Sequence, residues 1–86
     1  MHLSASTSQL ESSLRTELDA KGLVCPLPLL KAKQQLRNMA SGELLKVLAT
    51  DQGSVRDFRA YAQISGHKLI NQQEEDGVYI HWLQKV

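Results

Sequence analysis

Residues 44–50 read Leu-Leu-Lys-Val-Leu-Ala-Thr, a mostly apolar run with turn-forming residues on both sides. Gly42 precedes the run, and Asp51-Gln52-Gly53 follows it. Short apolar runs with such boundaries are typical of strands buried inside a sheet. We therefore predict that residues 44–50 form the central strand of the fold.

A helical pattern precedes this strand. Leu29, Ala32, Leu36 and Met39 recur at steps of three or four residues, so they form one apolar stripe on a helix. We expect this helix to end at Gly42, because glycine readily adopts the left-handed backbone geometry that closes many helices.

A second helical pattern follows the strand. Ser54 and Asp57 have the spacing of a capping box, in which a serine hydroxyl and an acid three residues later bond the free N–H groups of a helix start. We expect the helix to end at Gly66. Its apolar series is Val55, Phe58, Tyr61, Ala62 and Ile64 or Ser65.

Three further strands are predicted toward the two ends of the chain. Residues 14–18 alternate between apolar and polar side chains, and residues 19–22 follow as a loop. Residues 67–74 form a polar strand. Asp76-Gly77 is a strong hairpin signal, because glycine takes the positive φ that such turns require, and the last strand begins at Val78.

The predicted element order is therefore βαβαββ. This order places the chain in the α+β class, as a two-layer α/β sandwich with both helices packed on one face of a four-stranded mixed sheet. Right-handed crossovers make the first three strands parallel, and the hairpin makes the fourth antiparallel. The order of the strands within the sheet stays open. Residues 14–86 form the domain, and the serine-rich residues 1–13 are expected to be a disordered tail.

Composition and charge exclude several classes of protein. A chain of 86 residues allows one domain, and its formal net charge of +1 lacks the basic excess of a dedicated nucleic-acid-binding domain. We expect no direct nucleic-acid contact. No segment approaches the ~20 apolar residues of a membrane span, and the N-terminus lacks the pattern of a secretory signal. We therefore expect a cytoplasmic protein that does not contact membranes.

The chain contains one cysteine, Cys25. One thiol cannot close an intrachain disulfide, form a CxxC redox pair or build a multi-cysteine zinc site. The three histidines also lack the spacing of metal ligands. We expect neither a metal nor a cofactor.

The position of Cys25 favours a reactive thiol. It lies directly before Pro26, and proline is favoured at the first position of a helix. The partial positive charge of a helix N-terminus lowers the pKa of a thiol, and Lys31 and Lys33 add to that charge. Pro26 and Pro28 have no N–H to donate, which limits the effect. We predict an outward-facing thiolate stabilised by the helix dipole and by these lysines.

Position and spacing alone leave alternatives open. Cys25 is either a reactive thiol or a small buried hydrophobe. Asp51 should lie on the same sheet edge as Cys25, where it either caps the second helix or orients a lysine of a partner. Lys31, Lys33 and Arg37 form either a docking face for an acidic partner or an ordinary solvated helix face.

Residues 18–28, Leu-Asp-Ala-Lys-Gly-Leu-Val-Cys-Pro-Leu-Pro, resemble the LDxxGLxCPxP signature of the TusA-type sulfur-carrier proteins, also called SirA-like. The resemblance continues beyond this motif and covers about residues 14–86, which makes it far more specific than a CPxP string alone. The chain departs from the family at Gln52, where members often have proline, and this bears on loop stiffness. The further matching segments are Lys33 with Leu36, Gly42-Glu43, Thr50-Asp51, Gly66-His67-Lys68-Leu69 and Asp76-Gly77.

The resemblance implies a βαβαββ sandwich and a persulfide carried on Cys25, with Gly22, Pro26 and Pro28 as supporting motif residues. It implies a sulfurtransferase that acts with protein partners. The donor would be a cysteine desulfurase or a rhodanese, and a second protein would accept the sulfur, for tRNA thiolation or another sulfur-transfer pathway. The alternatives are an RNA-binding module of the same fold, which the near-neutral charge disfavours, and a redox-regulatory interaction module.

Overall fold

The computed structural model describes residues 15–86, in the predicted order βαβαββ. The proposed tail at residues 1–13 and position 14 of the first predicted strand lie outside the described residues. Neither helix in the described part is long and apolar enough to cross a membrane. The elements are β1 (Arg15–Ala20), α1 (Leu27–Arg37), β2 (Leu44–Ala49), α2 (Gly53–Ser65), β3 (Lys68–Glu75) and β4 (Val78–Gln84).

The four strands form one mixed sheet in the order β1-β2-β4-β3. β1 pairs with β2 in parallel, and β4 is antiparallel to both β2 and β3. The first three strands are therefore mutually parallel, as predicted, and the structure supplies the strand order that the sequence pattern left open. The predicted hairpin is also confirmed: Asp76 and Gly77 join β3 to β4 with φ of 52° and 82°.

Both helices cover the same face of this sheet. Leu45 and Val47 of β2 are fully buried and belong to one core cluster with Ala32 and Leu36 of α1 and Phe58 of α2. Residues two apart on a strand face the same side, so the two helices share one side of the sheet. This is the predicted two-layer arrangement.

The end of α1 differs from the prediction. The helix ends at Arg37, well before Gly42. The residues between them form a turn, in which the carboxylate of Glu43 accepts the N–H of Ala40 at 2.7 Å. Gly42, at φ +90°, donates its N–H to the carbonyl of Lys85 at 2.8 Å. Gly42 therefore joins this turn to the end of the chain and does not close the helix.

The predicted capping box at the start of α2 is wrong. The helix begins at Gly53, and its cap residue, Gln52, makes no side-chain hydrogen bond. Ser54 lies inside the first turn and bonds to His81 of β4, while the carboxylate of Asp57 accepts a hydrogen bond from the Cys25 thiol. Neither side chain caps the helix, because each is bonded to a group from another part of the chain.

β3 contains a bulge that changes which side chains face the helices. Its pairing with β4 shifts between Leu69 and Asn71 and leaves Ile70, which is 55% exposed, without a cross-strand partner. Leu69 packs against the core before the bulge, and Gln72 pairs with His81 after it. Because an inserted residue reverses the alternation of a strand, the bulge turns Gln72 toward α2.

His81 is the centre of a buried polar cluster. Its ring is fully buried and stacks on Phe58, with ring centroids 4.5 Å apart. The amide nitrogen of Gln72 lies 3.0 Å from Nδ1, and the hydroxyl of Ser54 lies 2.9 Å from Nε2. Arg59 donates from Nε to the amide oxygen of Gln72 at 2.9 Å, which leaves the amide nitrogen to donate to Nδ1. The ring is therefore the neutral Nε2–H tautomer, and its Nε2–H donates a hydrogen bond to the Ser54 hydroxyl.

The buried neutral histidine predicts a loss of stability in acid. Burial lowers the pKa of His81 from 6.5 to about 4, so the unfolded chain binds a proton that the folded chain excludes between these values. The free energy of unfolding should therefore fall as the pH drops from 6.5 toward 4, by up to about 3 kcal/mol from this group. Urea unfolding at a series of pH values measures the effect.

Two variants isolate this contribution. His81→Gln keeps a neutral polar side chain and should flatten the pH dependence in this range. His67→Gln is the matched control, because His67 is only partly buried, and it should leave most of the slope in place. Equal slopes in the wild type and His81→Gln would show that His81 is not the titrating group.

Candidate functional site

The parallel pairing of β1 with β2 brings the loops that follow these strands together. Gly22, at φ +83°, donates its N–H to the hydroxyl of Thr50 at 2.9 Å. Cys25 donates its backbone N–H to Oδ2 of Asp51 at 3.2 Å. The structure thus places Cys25 and Asp51 at one sheet edge, as predicted. The Asp51 carboxylate bonds to the Cys25 loop, so its interpretation as the cap of α2 is wrong.

Cys25 lies directly before the start of α1. Pro26 is the cap residue and the peptide bond between Cys25 and Pro26 is cis, so the helix begins at Leu27, one position later than predicted. The N–H of Leu27 bonds to the carbonyl of Val24 at 2.9 Å. Pro26 and the buried Pro28 have no N–H to offer. Pro26, Leu27 and Pro28 therefore donate no backbone N–H to the sulfur.

The sulfur instead contacts an acid of α2. Sγ of the exposed Cys25 donates a hydrogen bond to Oδ2 of Asp57 at 2.5 Å. Gly53, one turn earlier, allows this close approach of α2. A Cβ at position 53 would lie 2.9 Å from Oδ2 of Asp51 and 3.4 Å from Cβ of Cys25. The thiol therefore lies between the loop before α1 and the first turns of α2.

The electrostatics of the site oppose the predicted thiolate. The hydrogen bond to Asp57 is the largest cause of a raised pKa of the Cys25 thiol, followed by desolvation and by the charges of Asp57 and Asp51. Arg56 acts in the opposite direction. A nearby carboxylate stabilises the protonated thiol and repels the thiolate. The prediction of a pKa lowered by the helix dipole and the lysines of α1 is therefore wrong.

The three predicted docking cations of α1 do not form one patch. Nζ of Lys33 lies 5.3 Å from the ring centroid of Tyr61, and the side chain is half-buried between the helices. Lys31 and Arg37 are exposed. Two positions along a helix correspond to a rotation of about 200°, which puts Lys31 and Lys33 on different faces. Arg37 follows Lys33 by four positions and shares its face.

The surface around the thiol has an apolar side and a charged side. Val24, Leu27 and Leu30 are 64%, 42% and 44% exposed, and they adjoin Cys25 in the loop and in α1. Large apolar side chains exposed together are common where proteins bind one another. On the other side, an open cleft of about 520 Å³ begins at the start of α2. Its lining includes Gln52, Gly53, Arg56, Arg59, Glu74 and Tyr79.

Asp57 is the site residue that the sequence interpretation missed. Its spacing from Ser54 predicts a helix cap instead. A usable signal was present: because β1 and β2 are predicted to run parallel, the helices that follow them should both start at the sheet edge that carries Cys25. That expectation places the first turns of α2 within reach of the thiol.

Among residues 15–86, no group of three or more His, Cys, Asp or Glu side chains is arranged to hold a metal ion.

Comparison with known proteins identifies the family. The family model for sulfurtransferase TusA matches residues 16–85. A crystal structure of a SirA-like protein from Desulfitobacterium hafniense superposes with a TM-score of 0.73 at 28% sequence identity. The match covers 80% of this chain and 95% of that one, so the whole βαβαββ fold is shared.

Two curated relatives cover most of both chains. The sulfur carrier protein TusA of Allochromatium vinosum is 54% identical over 69 residues, which are 80% of this chain and 90% of the relative. The sulfur carrier protein TusA of Pseudomonas putida strain W619 is 47% identical over 68 residues, 79% of this chain and 85% of the relative. The chain therefore belongs to the TusA family of sulfurtransferases.

Proposed function

We propose that this protein accepts sulfane sulfur on Cys25 as a persulfide and passes it to a second protein. The observation that carries the proposal is the exposed thiol of Cys25, the chain's single cysteine, at the edge of the sheet. The relatives named sulfur carrier proteins support it. A carrier needs an accessible sulfur and a surface for docking, and the exposed Cys25 lies beside the exposed side chains of Val24 and Leu27, which supports the proposal.

The chemistry of the transfer is thiol exchange. The Cys25 sulfur attacks the outer sulfur of a donor persulfide, so that a new sulfur–sulfur bond forms on Sγ and the donor's sulfur–sulfur bond breaks. The donor leaves as a thiolate and takes up the proton that Cys25 releases. An acceptor thiolate then repeats the step on the outer sulfur of loaded Cys25. Such exchange needs one thiol on the carrier, and its rate depends on thiolate fraction, leaving group and access.

The proposed transfer requires two partner proteins. A cysteine desulfurase or a rhodanese supplies the sulfur, and the acceptor directs it to tRNA thiolation or another sulfur-transfer pathway. In this proposal the protein acts as a sulfurtransferase only together with these partners. We place it in the cytoplasm, where a lone thiol stays reduced.

We further propose that partners dock over the loop before α1 and along α1. Val24, Leu27 and Leu30 would supply apolar contact next to the sulfur. Lys31 and Arg37 lie about 120° apart around α1, so they would supply charge on opposite sides of this apolar contact. Charges at the rim of an interface mainly set the rate of association and its salt dependence. An acidic donor surface fits this arrangement.

The first prediction of the proposed function concerns sulfur loading. Incubation with a cysteine desulfurase and free cysteine should add the mass of one sulfur atom to the protein, as measured by intact mass spectrometry. The added sulfur should be removed by a reducing thiol, because the persulfide bond is a target for thiolate attack. The matched control is Cys25→Ser, which keeps the size of the side chain and should gain no mass.

Two outcomes would contradict the proposal. The first is the absence of an adduct with several desulfurases and rhodaneses. The second is an adduct that persists in Cys25→Ser. Gel-shift binding to RNA at moderate salt that survives Cys25→Ala would favour the RNA-binding alternative.

The second prediction concerns docking. Lys31→Glu and Arg37→Glu should slow loading by the desulfurase several-fold at low salt, because each replaces an attractive charge by a repulsive one. The effect should shrink as salt increases. Lys68→Glu is the matched control, since this exposed lysine begins β3 at the opposite edge of the sheet. Equal loading rates for the control and both α1 variants would show that α1 is not part of the docking surface.

A further inference from the structure

The hydrogen bond between Cys25 and Asp57 depends on the state of the sulfur. Sγ is the donor and the carboxylate is the acceptor, so the contact needs a proton on Sγ. An ionised carboxylate has no proton to offer in return. The contact therefore belongs to the unloaded carrier, in which Cys25 is a thiol.

Loading removes this donor. When a sulfur atom is added, Sγ exchanges its bond to hydrogen for a bond to the outer sulfur, and the proton leaves with the donor thiol. The outer sulfur is joined to Sγ by a bond of about 2.05 Å, so its own hydrogen occupies a different position from that of the thiol hydrogen. In the loaded carrier the Asp57 carboxylate faces the lone pairs of Sγ. An outer sulfur that ionises adds a second negative charge beside it.

Asp51 contacts the same residue in a different way. Its Oδ2 accepts the backbone N–H of Cys25, a donor that exists whether or not the sulfur is loaded. The two acids therefore have separate tasks. Asp51 holds the loop in both states, whereas Asp57 distinguishes between them.

The position of Asp57 is fixed by the helix that carries it. Its neighbours on α2, Ser54 and Phe58, are both buried, one bonded to His81 and the other packed in the core. The helix therefore cannot retreat from the loaded sulfur without breaking buried contacts. The remaining freedom is a rotation of the Asp57 side chain away from Sγ.

We propose that Asp57 is a positioning residue that favours the unloaded carrier over the loaded one, and so biases the protein toward handing on its sulfur. The inference rests on the proposed function of Cys25. Loading from the donor breaks the hydrogen bond between Cys25 and Asp57, and delivery to the acceptor allows it to form again. The contact therefore favours delivery over loading.

The first test measures the thiol without any sulfur donor. The rate of alkylation by iodoacetamide follows the thiolate fraction, so its pH profile reports the state of Cys25. Asp57→Asn should move this profile to lower pH and raise the rate at pH 7 several-fold. Asp57→Glu, which keeps the carboxylate, should restore part of the wild-type profile. Glu17→Gln, which removes an exposed carboxylate from the middle of β1, should leave the profile unchanged.

The second test measures the balance between the two states. The protein is equilibrated with fixed ratios of glutathione and glutathione persulfide, and intact mass gives the loaded fraction. The ratio of loaded to unloaded protein should rise by about threefold or more in Asp57→Asn and Asp57→Ala, because a hydrogen bond specific to the unloaded state is lost. Circular dichroism and thermal unfolding establish that the compared variants are folded.

The outcomes separate this inference from the proposed function. Equal loaded fractions in the wild type and in both folded variants overturn the inference alone. An alkylation profile that Asp57→Asn leaves in place also overturns it. A wild-type protein that takes up no sulfur at any ratio overturns the proposed function and the inference with it, while the alkylation result still reports on the Asp57 contact.

Discussion

The parallel pairing of β1 with β2 is the constraint on which the rest of the site depends. Two strands that run the same way end at the same edge, so the loops that leave them meet there. Thr50 and Asp51 follow β2, and they hold the backbone N–H groups of Gly22 and Cys25 after β1. Both helices start at this edge, so an acid of α2 can meet a thiol that precedes α1.

The site and the core are connected through the first turn of α2. Gly53 lies against Cys25, Ser54 bonds to the buried ring of His81, and Asp57 holds the sulfur one turn later. A neutral, buried histidine thus helps to fix the helix that positions the acid. This short segment contributes both to the stability of the fold and to the chemistry of the thiol. Ser54 has the first role and Asp57 has the second.

Much of the fold could be predicted from periodicity and turn chemistry. The element order, the directions of the strands, the hairpin at Asp76-Gly77 and the meeting of Cys25 with Asp51 all follow from local patterns and the rules of crossover connections. The strand order does not follow, because a hairpin allows its second strand to pair on either side of the first. The early end of α1 does not follow either, because Gly42, the predicted helix end, is instead bonded to Lys85, 43 positions further along the chain.

The errors at the site share one physical cause. Ser54 and Asp57 have cap spacing, and Cys25 lies before a helix, so local rules predict a cap and a lowered thiol pKa. The structure brings Cys25 and Asp57 together across 32 positions of sequence, and Ser54 meets His81 across 27. Such long-range partners override local preferences. The residues next to the cysteine do not reveal a charge that another element contributes, so they cannot predict its effect on the thiol pKa.

The bulge at Ile70 shows how a strand can accommodate an extra residue and still keep the correct side chains facing the core. Ile70 is largely exposed, and because the bulge leaves it out of the pairing, Leu69 and Gln72 both face the helices and Gln72 meets His81. If Ile70 were paired in regular alternation instead, Asn71 would stand opposite His81 and the Gln72 amide would turn outward, leaving Nδ1 of the buried ring without its donor. Position 70 therefore acts as a spacer outside the ladder, open to many amino acids, and its removal would leave Leu69 and Gln72 on the helix side.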